Sequence, residues 1–263
     1  MEFGIRGKVA IVAAASSGLG KATAMELACE GAHVAINSRN EQELRRAADE
    51  IQSATGAEVF TVAGDVTDED FVRRLVAETK TRFGSVDILV ANAGGPPAGF
   101  FDDFTAQHYR QAVELNLIST INLCREAVPH MRERDWGRVV AITSIAAKQP
   151  VENLILSNTS RAGVLGFMKS LSQQIAADGI TVNTVCPGYH LTERLKSLAA
   201  LTAQKERLSV EEVYSRWAAS TPMKRIGDPK EFAAVVAFLC SDRASYLTGA
   251  VIQVDGGAYR ALY

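Results

Sequence analysis

A chain of 263 residues, of which 47% are apolar, is long enough to bury one sizeable core. Its 28 basic and 30 acidic side chains leave a net charge of -2, so no general positive field favours nucleic acid or an anionic membrane surface as a partner. No apolar run reaches the roughly 18 residues that span a bilayer, and we expect a soluble, cytoplasmic protein.

The cysteines and histidines show neither a disulfide pattern nor metal-ligand spacing. Cys29, Cys124, Cys186 and Cys240 are far apart in apolar or small-residue surroundings, which is typical of buried thiols in a reducing compartment. The histidines stand at positions 33, 108, 130 and 190 and are interpreted as loop and surface residues. No structural metal is therefore expected.

Short apolar runs alternate with longer amphipathic stretches along the chain. The first unit is a strand at 9–12, a helix at 21–30 and a strand at 34–36. Further strands are predicted at 59–63, 86–91, 138–143, 180–186 and 251–254. Strands that are apolar at nearly every position indicate a sheet covered on both faces. The pattern predicts a single α/β domain, with a doubly wound parallel seven-stranded sheet and helices on both faces.

Residues 192–224 are helix-prone but have no adjoining strand. Their larger apolar side chains are Leu195, Leu198, Leu201, Leu208, Tyr214 and Trp217. We expect this segment to form a helical lid beside a site.

The loop from the first strand into the first helix has the composition of a phosphate-binding turn. It reads Ala13, Ala14, Ala15, Ser16, Ser17, Gly18, Leu19 and Gly20. Glycine lets the backbone approach a pyrophosphate, serine hydroxyls can donate, and the free amides of a helix N-terminus favour an anion. An isolated Gly-x-Gly could equally be an ordinary strand-to-helix turn.

Further motifs follow this loop in order. They are Asp65-Val66, Asn92-Ala93-Gly94, Leu115-Asn116-Leu117, Thr143-Ser144, Pro187-Gly188 with Thr192, and Val254-Asp255-Gly256-Gly257. Together they resemble the short-chain dehydrogenase/reductase family over nearly the whole chain, in particular its 3-oxoacyl-ACP reductase-like members. The resemblance implies a single-domain Rossmann fold, a nicotinamide cofactor and a homotetramer, with a dimer as the alternative.

The resemblance also implies which residues meet the cofactor. Those that would flank the adenine ring or border the adenosine ribose are Asp65, Val66, Asn92, Ala93 and Gly94. Those that would hold the nicotinamide end are Pro187, Gly188 and Thr192. Taken singly, each could instead be a turn or packing residue.

The end of the second strand favours NADP(H) over NAD(H). No acidic residue stands there to accept from a ribose 2′-hydroxyl, whereas Ser38 and Arg39 could bind a 2′-phosphate through charge-assisted hydrogen bonds. Arg39 could also be a solvated loop residue. Ala14 departs from the pattern, because the family usually has its first glycine at this position.

The catalytic positions depart further. The family's active site has a tyrosine acid/base, a lysine four residues later that binds the nicotinamide ribose, a serine that steadies the substrate oxygen, and an asparagine that anchors a water chain. Ser144 and Asn116 match the last two positions. Ser157 and Arg161 stand where the tyrosine and the lysine are expected.

An aliphatic hydroxyl is a far poorer acid than a phenol, whose ordinary pKa is about 10, so Ser157 cannot take over proton transfer. Arg161 can still donate to ribose hydroxyls and supply positive charge. The proton for a reduction would then come from Tyr189, from His190 or from a water on Asn116, with Tyr189 our first choice. Tyr189 and His190 could also line the loop without any chemical role.

Three functions stay open at this point. The first is an NADP-dependent oxidoreductase acting on a ketone, an aldehyde or a secondary alcohol. The second is a non-catalytic NADP-binding protein that is read by a partner, and the third is a lyase or isomerase on the same scaffold. Pocket walls are expected at 95–101, at 146–156 and in the lid, and their apolar side chains predict a partly apolar substrate.

Overall fold

Seven short strands form one parallel sheet in the computed structural model, which describes residues 2–262. They are β1 (Val9–Val12), β2 (His33–Ser38), β3 (Val59–Ala63), β4 (Ile88–Ala91), β5 (Gly137–Ile142), β6 (Ile180–Pro187) and β7 (Val251–Val254). Their spatial order is β3-β2-β1-β4-β5-β6-β7, with all pairs parallel. The order reverses between β1 and β4, and ligands of open parallel sheets bind at such a reversal, outside the carboxyl ends of the strands.

The helices between the strands are α1 (Gly18–Cys29), α2 (Glu41–Thr55), α3 (Glu69–Phe83), α4 (Ala106–Val113), α5 (Ser119–Arg132), α6 (Ile155–Ile175), α7 (Glu193–Glu206), α8 (Val210–Ser220) and α9 (Pro229–Leu239). Polar side chains cap the starts of many of these helices by accepting from backbone amides that the helix leaves free. The caps are Asn40, Asp68, Thr192, Ser209 and Asp228.

Two apolar layers cover the sheet, one on each face. Along β1, Ala10 and Val12 belong to the layer that contains residues of α1, α2 and α9, whereas Ile11 belongs to the layer that contains residues of α3, α5 and α6. β1, β4, β5 and β6 are buried at every position, as expected for central strands between two helical layers. The predicted doubly wound α/β fold is confirmed.

Two expectations about single residues are wrong. Cys29 is exposed, because it lies in the last turn of α1 on the side away from the core, whereas the other three cysteines are buried. His190 is buried, because its ring packs edge-on against Phe232 of α9, with ring centroids 5.4 Å apart. The remaining histidines lie in a strand or in helices rather than in loops, namely His33, His108 and His130.

The predicted lid segment folds as α7 and α8. The two helices share a small apolar core of their own around Ala199, Ala203 and Val213, with Trp217 packed against it. No helix among residues 2–262 is long and apolar enough to cross a membrane. That the lid covers a substrate stays a prediction.

Candidate functional site

The turn between β1 and α1 is held against the loop that follows β4. The Nδ2 amide of Asn92 donates to the carbonyls of Ala13 and Ala14, at 3.2 and 3.3 Å. A Cβ atom built on Gly20 would lie 2.4 Å from the Ala14 oxygen and 2.9 Å from Asn92 Nδ2, so only glycine fits there. Ala14 has a φ of 49°, which lies in the left-handed region that favours glycine. The turn therefore has the backbone conformation expected of a glycine here, although the residue is alanine.

Several polar groups of this turn have no partner among the residues that the structure describes. Ser17 is exposed and precedes α1, but its side chain caps no amide, and Ser16 makes no side-chain hydrogen bond among residues 2–262. The Leu19 side chain packs on the core, which leaves only its backbone to meet a ligand. Two hydroxyls and the N-terminal amides of α1 are thus free to bind an anion.

The start of the lid closes the other side of the cleft. A Cβ atom on Gly18 would lie 3.5 Å from the Thr192 methyl group, while Thr192 Oγ1 accepts from the amide of Leu195 at the start of α7. Nothing lies within 4 Å of the position of a Cβ atom on Gly94. The fold thus brings Gly18 next to Thr192 and leaves space beside Gly94, and that a dinucleotide binds here stays a prediction.

Replacing Gly20 by alanine is expected to weaken NADPH binding by about ten-fold or more, because the added methyl group must displace the Ala14 carbonyl and with it the phosphate-binding turn. Fluorescence titration with NADPH measures the effect. Gly166→Ala in α6 is the matched control, since nothing lies within 4 Å of its added methyl group. Equal affinity in the two variants would contradict the placement of the cofactor at this turn.

Arg39 and Asp65 lie close together at the predicted adenosine end of the cleft. Arg39 is 77% exposed, and its guanidinium lies 3.8 Å from the Asp65 carboxylate. The same carboxylate accepts from the amide and the hydroxyl of Thr67, and Ser38 Oγ accepts from the amide of Asn40 at 3.4 Å. Val66 is buried in the core, so only its backbone is left for an adenine ring.

At the other end of the cleft, Pro187 is the last residue of β6, and Gly188 lies against β7. A Cβ atom on Gly188 would come within 2.7 Å of Asp255 Cα, which gives this glycine a packing role. Its contact with the nicotinamide stays a prediction.

Asn116 lies in a π-helical turn, Glu114–Ile118, that joins α4 to α5. Its Nδ2 donates to Gly94 O at 3.1 Å, and its Oδ1 accepts from Ser160 Oγ at 2.9 Å. The hydroxyl of Thr120 donates to its carbonyl at 2.8 Å. Asn116 therefore connects the loop after β4 to α6. A water bound to Asn116, as predicted, would have to share its amide or its carbonyl oxygen with these partners. Ser160 was missed in the sequence, although a polar side chain on the buried face of α6 signals such a role.

The two serines of the predicted active site have hydroxyl protons that no group in residues 2–262 accepts. Ser144 Oγ accepts from the amide of Ala146 at 3.1 Å. Ser157 is only 7% exposed, and its hydroxyl makes no hydrogen bond among residues 2–262. Both side chains can thus still donate to a substrate oxygen or a water.

Arg161 is buried, and its guanidinium binds the protein backbone. Nη1 donates to Ile142 O at 3.3 Å and to Thr143 O at 2.9 Å, and Nη2 donates to Ala93 O at 3.5 Å and to Gly94 O at 3.4 Å. Burial and the neighbouring positive charge of a second arginine lower its pKa to about 10, so it stays protonated at neutral pH. Arg161 joins the residues at the carboxyl ends of β4 and β5, and its predicted contact with a ribose stays a prediction.

The side chains of Tyr189 and His190 make contacts that differ from those expected of a proton donor beside the two serines. The Tyr189 ring stacks on Trp217, with centroids 5.1 Å apart, and burial raises the pKa of its phenol. Burial lowers the pKa of His190, and its Nδ1 lies 3.3 Å from Gly188 O. Among residues 2–262, neither side chain hydrogen-bonds to either active-site serine. The proton-donor role of Tyr189 stays a prediction that no contact supports.

The three predicted pocket walls meet. Gly99 and Leu154 form an isolated parallel bridge, and the Lys205 ammonium of α7 lies 4.8 Å from the centre of the Phe100 ring. Arg194 of α7 donates to Pro96 O at 2.9 Å. The sequence analysis did not single out Arg194. The available signal was a basic residue in the first turn of a helix, where the helix dipole disfavours a cation.

A family model described as Enoyl-(Acyl carrier protein) reductase matches residues 13–259. Dehydrogenase/reductase SDR family member 4 of Oryctolagus cuniculus is 37% identical over 252 residues, which are 95% of this chain and 93% of that protein. The 3-oxoacyl-[acyl-carrier-protein] reductase FabG of Staphylococcus epidermidis is 32% identical over 96% of this chain and 99% of its own length. The crystal structure of L-sorbose reductase from Gluconobacter frateurii, complexed with NADPH and L-sorbose, is 33% identical and covers 100% of both chains with a TM-score of 0.95.

Proposed function

Because this chain belongs to the short-chain dehydrogenase/reductase family of oxidoreductases, we propose that it binds NADP(H) and transfers hydride between the nicotinamide and a ketone, an aldehyde or a secondary alcohol. The observation that carries the proposal is the opening at Gly94, between the glycine-containing turn and Thr192. The NADPH bound to the similar L-sorbose reductase supports the same cofactor here.

Residues on both sides of the cleft would hold this cofactor. The hydroxyls of Ser16 and Ser17 and the amides of α1 would bind the pyrophosphate, and Arg39 would bind the 2′-phosphate. When bound, NADPH would supply a hydride. Ser144, whose hydroxyl proton has no acceptor in the protein, would donate to the carbonyl oxygen of the substrate.

Replacing Arg39 by aspartate is expected to lower the ratio of NADPH affinity to NADH affinity by about ten-fold or more, because a hydrogen-bonded cation opposite the 2′-phosphate becomes an anion. Dissociation constants for both nucleotides measure the ratio. Arg45→Asp on α2 is the control, since Arg45 is also largely exposed and forms an ion pair within its own helix. If the ratio does not change, Arg39 is a solvated loop residue.

The proton is the difficult part of the reaction. Ser157 is too weak an acid, and the Tyr189 phenol, with its raised pKa, stacks on Trp217 instead. We therefore propose that the proton comes from solvent and is relayed by a water held by the hydroxyls of Ser144 and Ser157, because a neutral water is itself no stronger an acid than a serine hydroxyl. A positioned general acid accelerates such steps by about 10²–10⁴-fold, and turnover here would be slow by that factor.

A second candidate is a non-catalytic NADP-binding protein whose NADP-bound form is recognised by a partner. The observation in its favour is Arg161, whose terminal amino groups donate to backbone carbonyls in a site that has no phenol at position 157. We do not propose a lyase or isomerase, because no arrangement of groups in the described residues favours one.

Two measurements on the same preparation separate these functions. NADPH affinity is titrated first, and loss of NADPH absorbance is then followed over a panel of ketones and aldehydes, with enzyme and NADPH at similar concentrations so that slow turnover is visible. Substrate-dependent loss supports the oxidoreductase, whereas binding without loss for any compound supports the non-catalytic candidate. Absence of NADPH binding would contradict both.

A further inference from the structure

Two guanidinium groups meet at one short loop beside the proposed cofactor cleft. Arg161 Nη2 lies 3.5 and 3.4 Å from the carbonyls of Ala93 and Gly94, and Arg194 Nη2 lies 2.9 Å from the carbonyl of Pro96. The position of a Cβ atom on Gly95 is 3.3 Å from Arg194 Nη2. The two cations come from different helices, α6 and α7, and both donate to backbone carbonyls of residues 93–96.

Neither cation has an acidic partner. Among residues 2–262, no carboxylate lies within 4.0 Å of either guanidinium. Glu193 precedes Arg194 in the chain, but its carboxylate pairs with Lys196 instead. In the part of the chain that the structure describes, both side chains donate to backbone carbonyls alone. Burial lowers the pKa of Arg161, and the positive charge of Arg194 lowers it further.

Arg194 also stands where its own helix disfavours it. It lies in the first turn of α7, near the positive end of the helix dipole, after the cap residue Thr192. Arg194 is an exposed residue, but its bond to Pro96 is partly buried, and partial burial of the guanidinium lowers its pKa. A guanidinium with donors to spare presents the fork geometry that matches carboxylate and phosphate oxygens.

We propose that Arg194, with the charge of Arg161 behind it, forms a binding position for an anionic oxygen group, a carboxylate or a phosphate, at the loop of residues 93–96. The inference rests on the proposed function in one respect, namely that the cofactor binds in the cleft beside this anion-binding position. Two sources could supply the anion. A carboxylate on the substrate would make Arg194 a specificity residue, and a phosphate of NADP(H) would make it a cofactor residue.

The test is calorimetric titration with oxalate, a small dicarboxylate, of the full-length protein without and with saturating NADP⁺. We expect oxalate to bind the unmodified protein with a dissociation constant of about 1 mM or lower, and about ten-fold or more weakly in Arg194→Gln. Arg125→Gln removes an equal charge from an exposed position on α5 and should bind like the unmodified protein. Arg194→Lys, which keeps the charge but not the fork, should lie between them.

The NADP⁺-saturated titration identifies the source. If oxalate still binds and still depends on Arg194, the position receives a substrate carboxylate. If NADP⁺ abolishes oxalate binding and Arg194→Gln weakens NADP⁺ binding, the position receives a cofactor phosphate. Equal oxalate affinity in the unmodified protein and in Arg194→Gln, or no binding at all, overturns the inference. Because no turnover is measured, a failed hydride-transfer assay leaves this result standing.

Discussion

Changing Ser157 to tyrosine and Arg161 to lysine together is expected to raise kcat for NADPH-dependent carbonyl reduction by about two to four orders of magnitude, the usual contribution of a positioned general acid. The phenol would supply the proton that Ser157 cannot, and the ammonium would lower the phenol pKa by favouring its ionised form. NADPH oxidation with the same carbonyl panel, run beside the unmodified protein, measures the gain.

The structure gives the new phenol a suitable starting point. Ser157 lies in the first turn of α6, and its hydroxyl has no hydrogen bond to lose on replacement. Arg161 follows four residues later, so the two side chains lie one above the other on one face of the helix. Both positions are at the carboxyl edge of the sheet, where Ser144 keeps its own hydroxyl proton.

The control is Ser157→Phe with Arg161→Lys, which adds the same ring without its hydroxyl. A gain with tyrosine and none with phenylalanine assigns the effect to proton transfer. Activity only in the tyrosine variant would favour the non-catalytic candidate for the natural chain. Equal turnover in all three proteins would contradict the prediction, because position 157 would then not limit the reaction.

The fold could be predicted because its signals are local. β1, β4, β5 and β6 are buried on both faces, and each therefore reads as an uninterrupted apolar run in the sequence. The start of α1 was placed at residue 21, whereas the helix begins at Gly18, because glycines at a strand-to-helix turn read as loop. The π-helical turn at Glu114–Ile118 has no pattern of its own and could not be predicted.

The site could be predicted only as a set of positions. The motifs indicated that Asn92, Asn116 and Arg161 belong to one region, but the groups to which these side chains donate are backbone carbonyls up to 79 residues away in the chain. Backbone carbonyls occur at every residue and carry no sequence signal. For the same reason the sequence indicated a ribose contact for Arg161 and gave no indication that its guanidinium would bind the ends of two strands.

Replacing Arg161 by alanine is expected to lower the free energy of unfolding by about 2–5 kcal/mol, because buried carbonyls at the ends of β4 and β5 lose their donors and a cavity replaces the side chain. Urea unfolding measures the change. Arg125→Ala on α5 is the control, since Arg125 is exposed and its loss should cost about 0.5 kcal/mol or less.

Arg161→Met separates the two causes, because methionine fills much of the space without donating. If the lost hydrogen bonds dominate, the methionine and alanine variants are destabilised alike, whereas a smaller loss with methionine assigns the difference to the cavity. Arg161→Lys keeps a donor cation and should retain part of the stability.

NADPH affinity should fall together with stability in the alanine variant, because Ala93 and Gly94, whose carbonyls Arg161 binds, border the proposed ribose position. A variant that unfolds more easily yet binds NADPH unchanged would show that Arg161 supports the sheet edge alone. Unchanged stability would mean that water satisfies the carbonyls without Arg161. The strand ends would then be held by Asn116 and the backbone, and the buried cation would have to be explained by its ligand.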